Sequence, residues 1–377
     1  MPRWSNTLSA LRRGALGALL AASICAVGVV VASKFEVHPL MDASAESLRV
    51  PAISRDSRPW VGVNVWGLAA ARDVFTCGAS DRDHTEHLDA TFDHLRAAGI
   101  TVVRFWAFQS YATDDRGARN WRALDRVFER AQAHGVRLIP VLGNNWTDCD
   151  YWPVTQYPHG GQRKDEVDWY RDGYRRPYDG YEAGYPDWQR EIVARYCGHD
   201  ALLTWELINE PRARSYAPGD TEVLAAFLRD GRDLIRELDP VTPISFGSIA
   251  NGEPGFDGAR YRILTHEADY ATAHDYDHLD PRTAPASCET NCSRAAQRDA
   301  ALERRPFYVG EAGIDGCDTP ERARLLTEAM RRAFVDGAAG YILWAYDDAT
   351  PLDRCGFDFG PRSPILVAIA RMQGLSP

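Results

Sequence analysis

A chain of 377 residues has room for two average domains, or for one barrel of roughly 250 residues with insertions. With 45% hydrophobic and 25% charged residues, the composition excludes a disordered chain and provides for a sizeable core. Without residues 1–33, which hold three arginines and no acid, 40 basic residues face 53 acidic ones, a net charge of −13. That balance argues against nucleic acid or an anionic lipid surface as partner.

Residues 14–33 are uncharged and follow Arg3, Arg12 and Arg13. A stretch of about 20 apolar residues can span a bilayer, and the flanking arginines place the N-terminus in the cytoplasm with the folded part exported. An uncleaved anchor and a cleaved signal both stay open. The small-x-small site Ala43-Ser44-Ala45 lies farther from the apolar run than signal peptides usually allow. Residues 34–58, with Pro39 and Pro51, read as a tether, and residues 59–377 as one folded domain expected to stand as an extracellular or membrane-anchored monomer.

Export makes disulfides expected. Beyond Cys25 the cysteines are Cys77, Cys149, Cys197, Cys288, Cys292, Cys317 and Cys355, an odd number. Cys77 with Cys149, Cys288 with Cys292 and Cys317 with Cys355 are plausible pairs, and Cys197, at the end of a helical stretch, is the candidate for the unpaired one. No CxxC pair or His-x-His cluster suggests zinc.

From Trp60 onward, short apolar runs alternate with amphipathic stretches. The expected strands are 60–66, 100–108, 136–142, 202–208, 243–248, 269–276, 306–312 and 339–346. Helices are expected over 84–98, 121–134, 187–197, 221–237, 293–303, 321–336 and 363–372. Glycines at 99, 135 and 337 stop helices just before strands, a join that implies a parallel sheet. Eight such units predict an α/β fold, a single-domain (β/α)8 TIM barrel. Neither GxGxxG nor a phosphate-binding P-loop is present, so no cofactor is expected.

Residues 143–186 form a long insertion after the third strand. Ten aromatic residues fall within 151–188: Tyr151, Trp152, Tyr157, Trp169, Tyr170, Tyr174, Tyr178, Tyr181, Tyr185 and Trp188. On the catalytic face such a loop would offer platforms for sugar rings. The alternative is a loop that packs on its own scaffold.

In a parallel barrel every strand's C-terminal end faces one bowl. These ends carry Asn64 and Trp66; Arg104 and Trp106; Asn144, Asn145 and Trp146; Asn209 and Glu210; His274 and Tyr276; Glu311; Trp344, Asp347 and Asp348. A bowl so polar and aromatic suits carbohydrate, and two carboxylates, Glu210 and Glu311, suit glycosidic cleavage. Glu210 would need a raised pKa to hold a proton, while Arg104 would keep Glu311 ionised and Tyr276 would donate to it. Asp347, Asp348, Asp275, Asp277 and Asp280 read as solvated loop acids.

TWELINEP, Glu311 within VGEAG, VVRFW around Arg104, the run His274-Asp275-Tyr276 and Trp344 together resemble the family 5 glycoside hydrolases. The resemblance implies a retaining endo-β-glycosidase with Glu210 as acid/base and Glu311 as nucleophile. It implies supporting roles for Arg104, Asn209, His274, Tyr276 and Trp344. Gly143-Asn144-Asn145-Trp146 is similar to the Asn-Asn-Trp of the β-mannanase branch, which makes β-1,4-mannan the expected substrate, with Trp66, Trp106, Trp146, Asn144 and Asn145 as further sugar contacts. The alternatives are a β-glucanase, an envelope-polysaccharide transglycosylase, and a non-catalytic, membrane-tethered carbohydrate-binding protein, which predicts loss of one of the two carboxylates, whereas both are present.

Overall fold

The computed structural model describes residues 58–70, 77–146, 148–150, 164, 166–178, 180–214, 216–249, 256–276, 292–351 and 353–375. The segment 14–33, the tether as far as residue 57, Cys288, Tyr151, Trp152, Tyr157, Asp277 and Asp280 lie outside the described residues, and with Cys288 so does the expected Cys288–Cys292 pairing. No helix among the described residues is long and apolar enough to cross a membrane.

The barrel strands are β1 (Trp60–Asn64), β2 (Val102–Trp106), β3 (Arg137–Val141), β4 (Trp205–Asn209), β5 (Ile244–Gly247), β6 (Ala271–Asp275) and β7 (Phe307–Ala312). After β8 (Gly316–Cys317), which lies outside the barrel, β9 (Gly340–Leu343) completes the set. Their order is β5-β4-β3-β2-β1-β9-β7-β6, with every pairing parallel. The open seam between β5 and β6 is closed by hydrogen bonds: Asp269 and Tyr270 donate backbone N–H to Ile244, and His274 N–H donates to Ser248 O at 2.9 Å. These strands are buried along almost their whole length, which is why their sequences read as apolar runs rather than alternations.

The helices are α1 (Thr85–Ala97), α2 (Arg122–His134), α3 (Val167–Arg171), α4 (Tyr185–Tyr196), α5 (Asp220–Leu238), α6 (Gly258–Thr265), α7 (Cys292–Leu302), α8 (Pro320–Val335) and α9 (Pro364–Met372). Gly135 closes α2 in the left-handed region at φ 63°, the conformation for which the helix-stop glycine was read. Three starts are capped by side chains of the preceding residue: Asp257, Thr319 and Ser363 accept from backbone N–H groups of the first turn.

Helix α3 within the insertion, helix α6 and a short antiparallel ladder add to the expected elements. Helix α6 fills the gap between β5 and β6; only eight residues long and with no clear apolar stripe, it carries little periodic signal. Beyond β7, β8 pairs antiparallel with β10 (Cys355–Gly356), a two-residue ladder stapled by the Cys317–Cys355 disulfide.

Three readings are corrected. The described aromatics of the insertion, from Trp169 to Trp188, are all buried. Trp169, Tyr170, Tyr174 and Tyr185 surround Phe227 of α5 at ring distances of 4.9–5.6 Å. They extend the main hydrophobic core and fasten the insertion to the barrel wall, and are not sugar platforms. Cys77–Cys149 and Cys317–Cys355 form as expected, but Cys197 is disulfide-bonded, and no cysteine among the described residues is free. Parity requires an unpaired member in a set of seven without saying which. Asp275, read as a solvated acid, is buried in β6 and accepts from Ser293 Oγ at 3.0 Å.

Candidate active site

Strand register brings the predicted side chains together. Asn64 stands opposite Arg104 across β1 and β2, and His274 opposite Glu311 across β6 and β7, just past an irregularity at Ala273. An isolated bridge sets Asn144 against Asn209, and a second irregularity between Glu206 and Asn209 tilts the end of β4. Such bulges commonly re-aim side chains at barrel rims. Glu210 follows at φ 49°, in the left-handed region that a non-glycine residue occupies at a cost of about 1–3 kcal/mol. Its N–H donates to Gly247 O at 2.7 Å, which holds the turn in place.

At the centre lies Arg104, fully buried. One guanidinium nitrogen donates to Glu311 at 2.6 Å and to Asn64 at 2.7 Å; the other two reach Glu206 and Asn209 at 2.6–3.0 Å. Its face lies 4.9 Å from the Trp106 ring centroid. Two carboxylates flank the guanidinium, and their charges outweigh its burial and raise its pKa further, so Arg104 is a permanent cation.

The second carboxylate, Glu206, belongs to the floor of the bowl and was missed by the sequence reading. It is wholly buried and also accepts from Tyr308 Oη at 3.1 Å, which in turn lies 2.8 Å from Ser245 Oγ. Its signal was a charged residue in the middle of a buried strand, where a charge requires a partner. Gly247 makes room for the cluster: a Cβ there would lie 2.8 Å from Glu206 and 3.1 Å from Arg104.

Above this floor stand the two rim carboxylates, each with its own aromatic donor. Glu311 accepts from Arg104 on one oxygen and from Tyr276 Oη at 2.5 Å on the other. Glu210 accepts from Trp146 Nε1 at 2.5 Å and lies 2.6 Å from His274 Nδ1. The same His274 nitrogen is 3.5 Å from Glu311, so the imidazole bridges both acids. Burial pushes both carboxyls up. At Glu210 the bond and charge of His274, helped by Trp146 and Arg104, outweigh burial and hold the group below its ordinary value. At Glu311 burial prevails, reinforced by the charge of Glu210, and the group sits above its ordinary value despite His274, Arg104 and Tyr276. His274 is the mirror of this: burial works against its charged form, but Glu311 and Glu210 together raise its pKa. The directions at the two acids are thus the reverse of those expected from the sequence, because His274 sits closest to Glu210.

Glu210, His274 and Glu311 offer one ligand atom each within 4.8 Å of one another, a possible cation site. Their polar atoms already face the donors Arg104, Trp146 and Tyr276. Such a set of two acids, a histidine and fixed donors is equipped to move a proton and stabilise charge on a bound substrate.

The other predicted residues divide. Trp66 and Trp344 are partly buried at the edge of the core, with Trp344 5.7 Å from Trp106. Trp106 is buried, stacked on Phe108 and beneath Arg104. Asn144 commits its amide to the loop: Oδ1 accepts from Trp146 N–H and Asn209 Nδ2, and Nδ2 donates to Asp148 O. Asn145 Oδ1 accepts from Tyr170 at 2.5 Å. Asp347 accepts from Ala349 N–H, and Asp348 pairs with His87 at 2.9 Å.

The family model described as "Cellulase (glycosyl hydrolase family 5)" matches residues 70–350. The chain belongs to glycoside hydrolase family 5. It is 26% identical over 290 residues to mannan endo-1,4-beta-mannosidase A of Emericella nidulans, covering 69% of this chain and 70% of that protein. The corresponding enzyme of Podospora anserina is 24% identical over 292 residues, covering 69% and 74%. In fold the chain is similar to the endo-1,4-beta-D-mannanase of Thermotoga petrophila RKU-1, with a TM-score of 0.61 at 20% identity over 84% of this chain and 99% of that one. The family 5 chain is accordingly a glycoside hydrolase built on a TIM barrel.

Proposed function

We propose that the protein is a retaining endo-β-1,4-mannanase in which Glu311 is the nucleophile and Glu210 the acid/base. The observation that carries this reading is the close approach of the two carboxylates, whose ligand oxygens lie within 4.8 Å of each other and of His274. Inverting glycosidases keep their carboxyl groups about 6.5–9.5 Å apart to admit a water, whereas retaining ones place them about 5–5.5 Å apart. One oxygen of each carboxyl within 4.8 Å of the other supports the shorter, retaining arrangement.

In the first step a lone pair of Glu311 forms a bond to the anomeric carbon as the glycosidic C–O bond breaks. Glu210 delivers a proton to the departing oxygen. Water then enters, Glu210 removes its proton, and the ester to Glu311 is cleaved with the anomer retained. Arg104 and Tyr276 hold Glu311 in line without removing its charge. His274 holds the Glu210 carboxylate across a 2.6 Å bond, a contact through which the two groups share the proton that the leaving oxygen receives. Asn209, fixed by Arg104 and Asn144, is placed to meet the sugar 2-OH. Trp66, Trp146 and Trp344 line the sugar path.

Mannan as substrate is supported by the names of the fungal relatives and by the Asn144-Asn145-Trp146 turn. β-Glucan is the second reading, supported by the cellulase description of the family model. Export is supported by the two disulfides, with residues 14–33 as anchor or signal and residues 59–377 as the catalytic unit, acting as a monomer. Reducing-end release on mannan and on β-glucan, with NMR of the first product anomer, tests the reading. Faster release from mannan with retained configuration supports it; an inverted first product or activity confined to glucan overturns it.

A further inference from the structure

Among the charges buried outside the reaction cluster are Lys164 and Asp150. Lys164, in the insertion, has no side-chain exposure, and its Nζ lies 2.6 Å from Asp150 Oδ2, itself buried. The ammonium also lies 5.2 Å from the Trp169 ring centroid and 5.0 Å from that of Tyr178. A lysine so placed loses its hydration, and Asp150 and the two aromatic faces help to hold its charge.

Asp150 closes the turn that presents Trp146. Its Oδ2 also accepts from Asn144 N–H at 3.0 Å, and its neighbour Cys149 is tied to Cys77. Inside the turn, Asn144 binds Trp146 N–H and Asp148 O, and Tyr170 of α3 donates to Asn145. Trp146 itself is 38% exposed. Its ring packs under the Arg212 guanidinium at 4.7 Å, and its backbone is set by the turn, so the direction of its 2.5 Å bond to Glu210 depends on the turn below it.

We propose that the Lys164–Asp150 ion pair is a positioning pair for the proton-handling half of the site, clamping the turn of residues 144–150 to the insertion so that Trp146 meets Glu210. The inference rests on Glu210 as acid/base. It assigns the insertion a task in the reaction: its buried aromatics house the cation that fixes the turn. Losing Lys164 alone strands Asp150 as a buried unpaired charge, so the variant Lys164→Met is accompanied by Lys164→Met with Asp150→Asn, which removes both charges and keeps an acceptor for Asn144 N–H.

The test is the kcat and KM of each variant on soluble mannan and on a 2,4-dinitrophenyl β-mannobioside, with pH profiles, beside Trp146→Phe and Glu210→Ala. The expected result is about a tenfold fall in kcat/KM on mannan and a much smaller fall in kcat/KM on the aryl substrate, whose leaving group needs no proton, while kcat, which includes the step where Glu210 acts as base, falls on both. The basic limb of kcat/KM should move to higher pH as the Trp146 bond to the Glu210 carboxylate weakens. Adding Trp146→Phe to the double variant should cost little more, because both remove one contact. Equal losses in kcat/KM on both substrates, an unmoved basic limb, or losses that multiply with Trp146→Phe would overturn the proposal. If Lys164→Met alone does not fold, the charge-free double variant decides by the same criteria. Full mannan turnover by Glu210→Ala would instead remove the acid/base reading, a result independent of Lys164.

Discussion

The two carboxylates of the bowl are held in opposite ways. Glu311 sits on a buried strand, gripped by a guanidinium whose other side is balanced by Glu206, and its phenol donor Tyr276 packs on Phe357 at 5.2 Å, next to the Cys317–Cys355 staple. Glu210 stands past the end of its strand in a left-handed backbone conformation, held from above by an exposed indole and from the side by His274. A nucleophile gains from fixed distance and direction, because misplacement of the reacting atom costs rate directly. A group that takes and returns a proton needs a contact able to share it. The difference teaches that one rim of the barrel is organised by rigid charge pairing and the other by a clamped loop.

The largest expected effect lies on the rigid side. Glu311→Gln should lower turnover of mannan by about 10⁴-fold or more with circular dichroism unchanged; a variant keeping a tenth of the activity would end the assignment. Arg104→Met leaves Glu206 and Glu311 without their cation, and stranding a buried partner destabilises by about 3–5 kcal/mol; denaturant midpoints at pH 7 measure it. A loss under 1 kcal/mol would show that the floor of the bowl does not depend on Arg104.

On the clamped side the loss should depend on the substrate. Glu210→Ala is expected to fall about 10²–10⁴-fold on mannan and far less on a dinitrophenyl glycoside, with azide restoring turnover of the latter as a glycosyl azide of retained configuration. Equal losses on both substrates would erase the functional contrast between the rims.

The smallest effects concern pH. Glu311 must be ionised to attack, and its carboxyl is held above the ordinary value by burial and by Glu210. Activity should therefore fall, as pH falls, through a value higher than that of an exposed glutamate. Tyr276→Phe removes a bond that favours the charged form, so it should move this acid limb further up and lower kcat/KM by about 1.5–3 kcal/mol in barrier terms. Trp146→Phe should move the basic limb and leave the acid limb in place. Matching shifts in both variants would mean that the two donors do not serve separate acids.

Much of this was legible because barrel strands write themselves as apolar runs ending in polar residues, and because helix-stop glycines repeat before them. Glu210, Glu311, Arg104, His274 and Tyr276 could be singled out since a strand-end position fixes which bowl they face. Glu206 could not be assigned a role in advance: the register that sets it beneath Arg104 comes from pairing across β2, β3 and β4, not from its neighbours in the chain. The insertion misled because aromatics in a Gly- and Pro-rich stretch look exposed, while Phe227 of α5, which they enclose, is more than forty residues away. The pKa directions were misjudged because His274, 2.6 Å from Glu210, outweighs burial at that acid, while at Glu311 burial prevails over His274 and Arg104.

The most direct test of the double displacement is to trap its intermediate. Incubation with a 2-deoxy-2-fluoro-β-mannosyl fluoride, followed by proteolysis and mass spectrometry, should find one covalent sugar on the peptide carrying Glu311 and none on Glu311→Gln. A sugar on any other residue, or active enzyme that turns over mannan with inversion and never forms an adduct, would contradict the account.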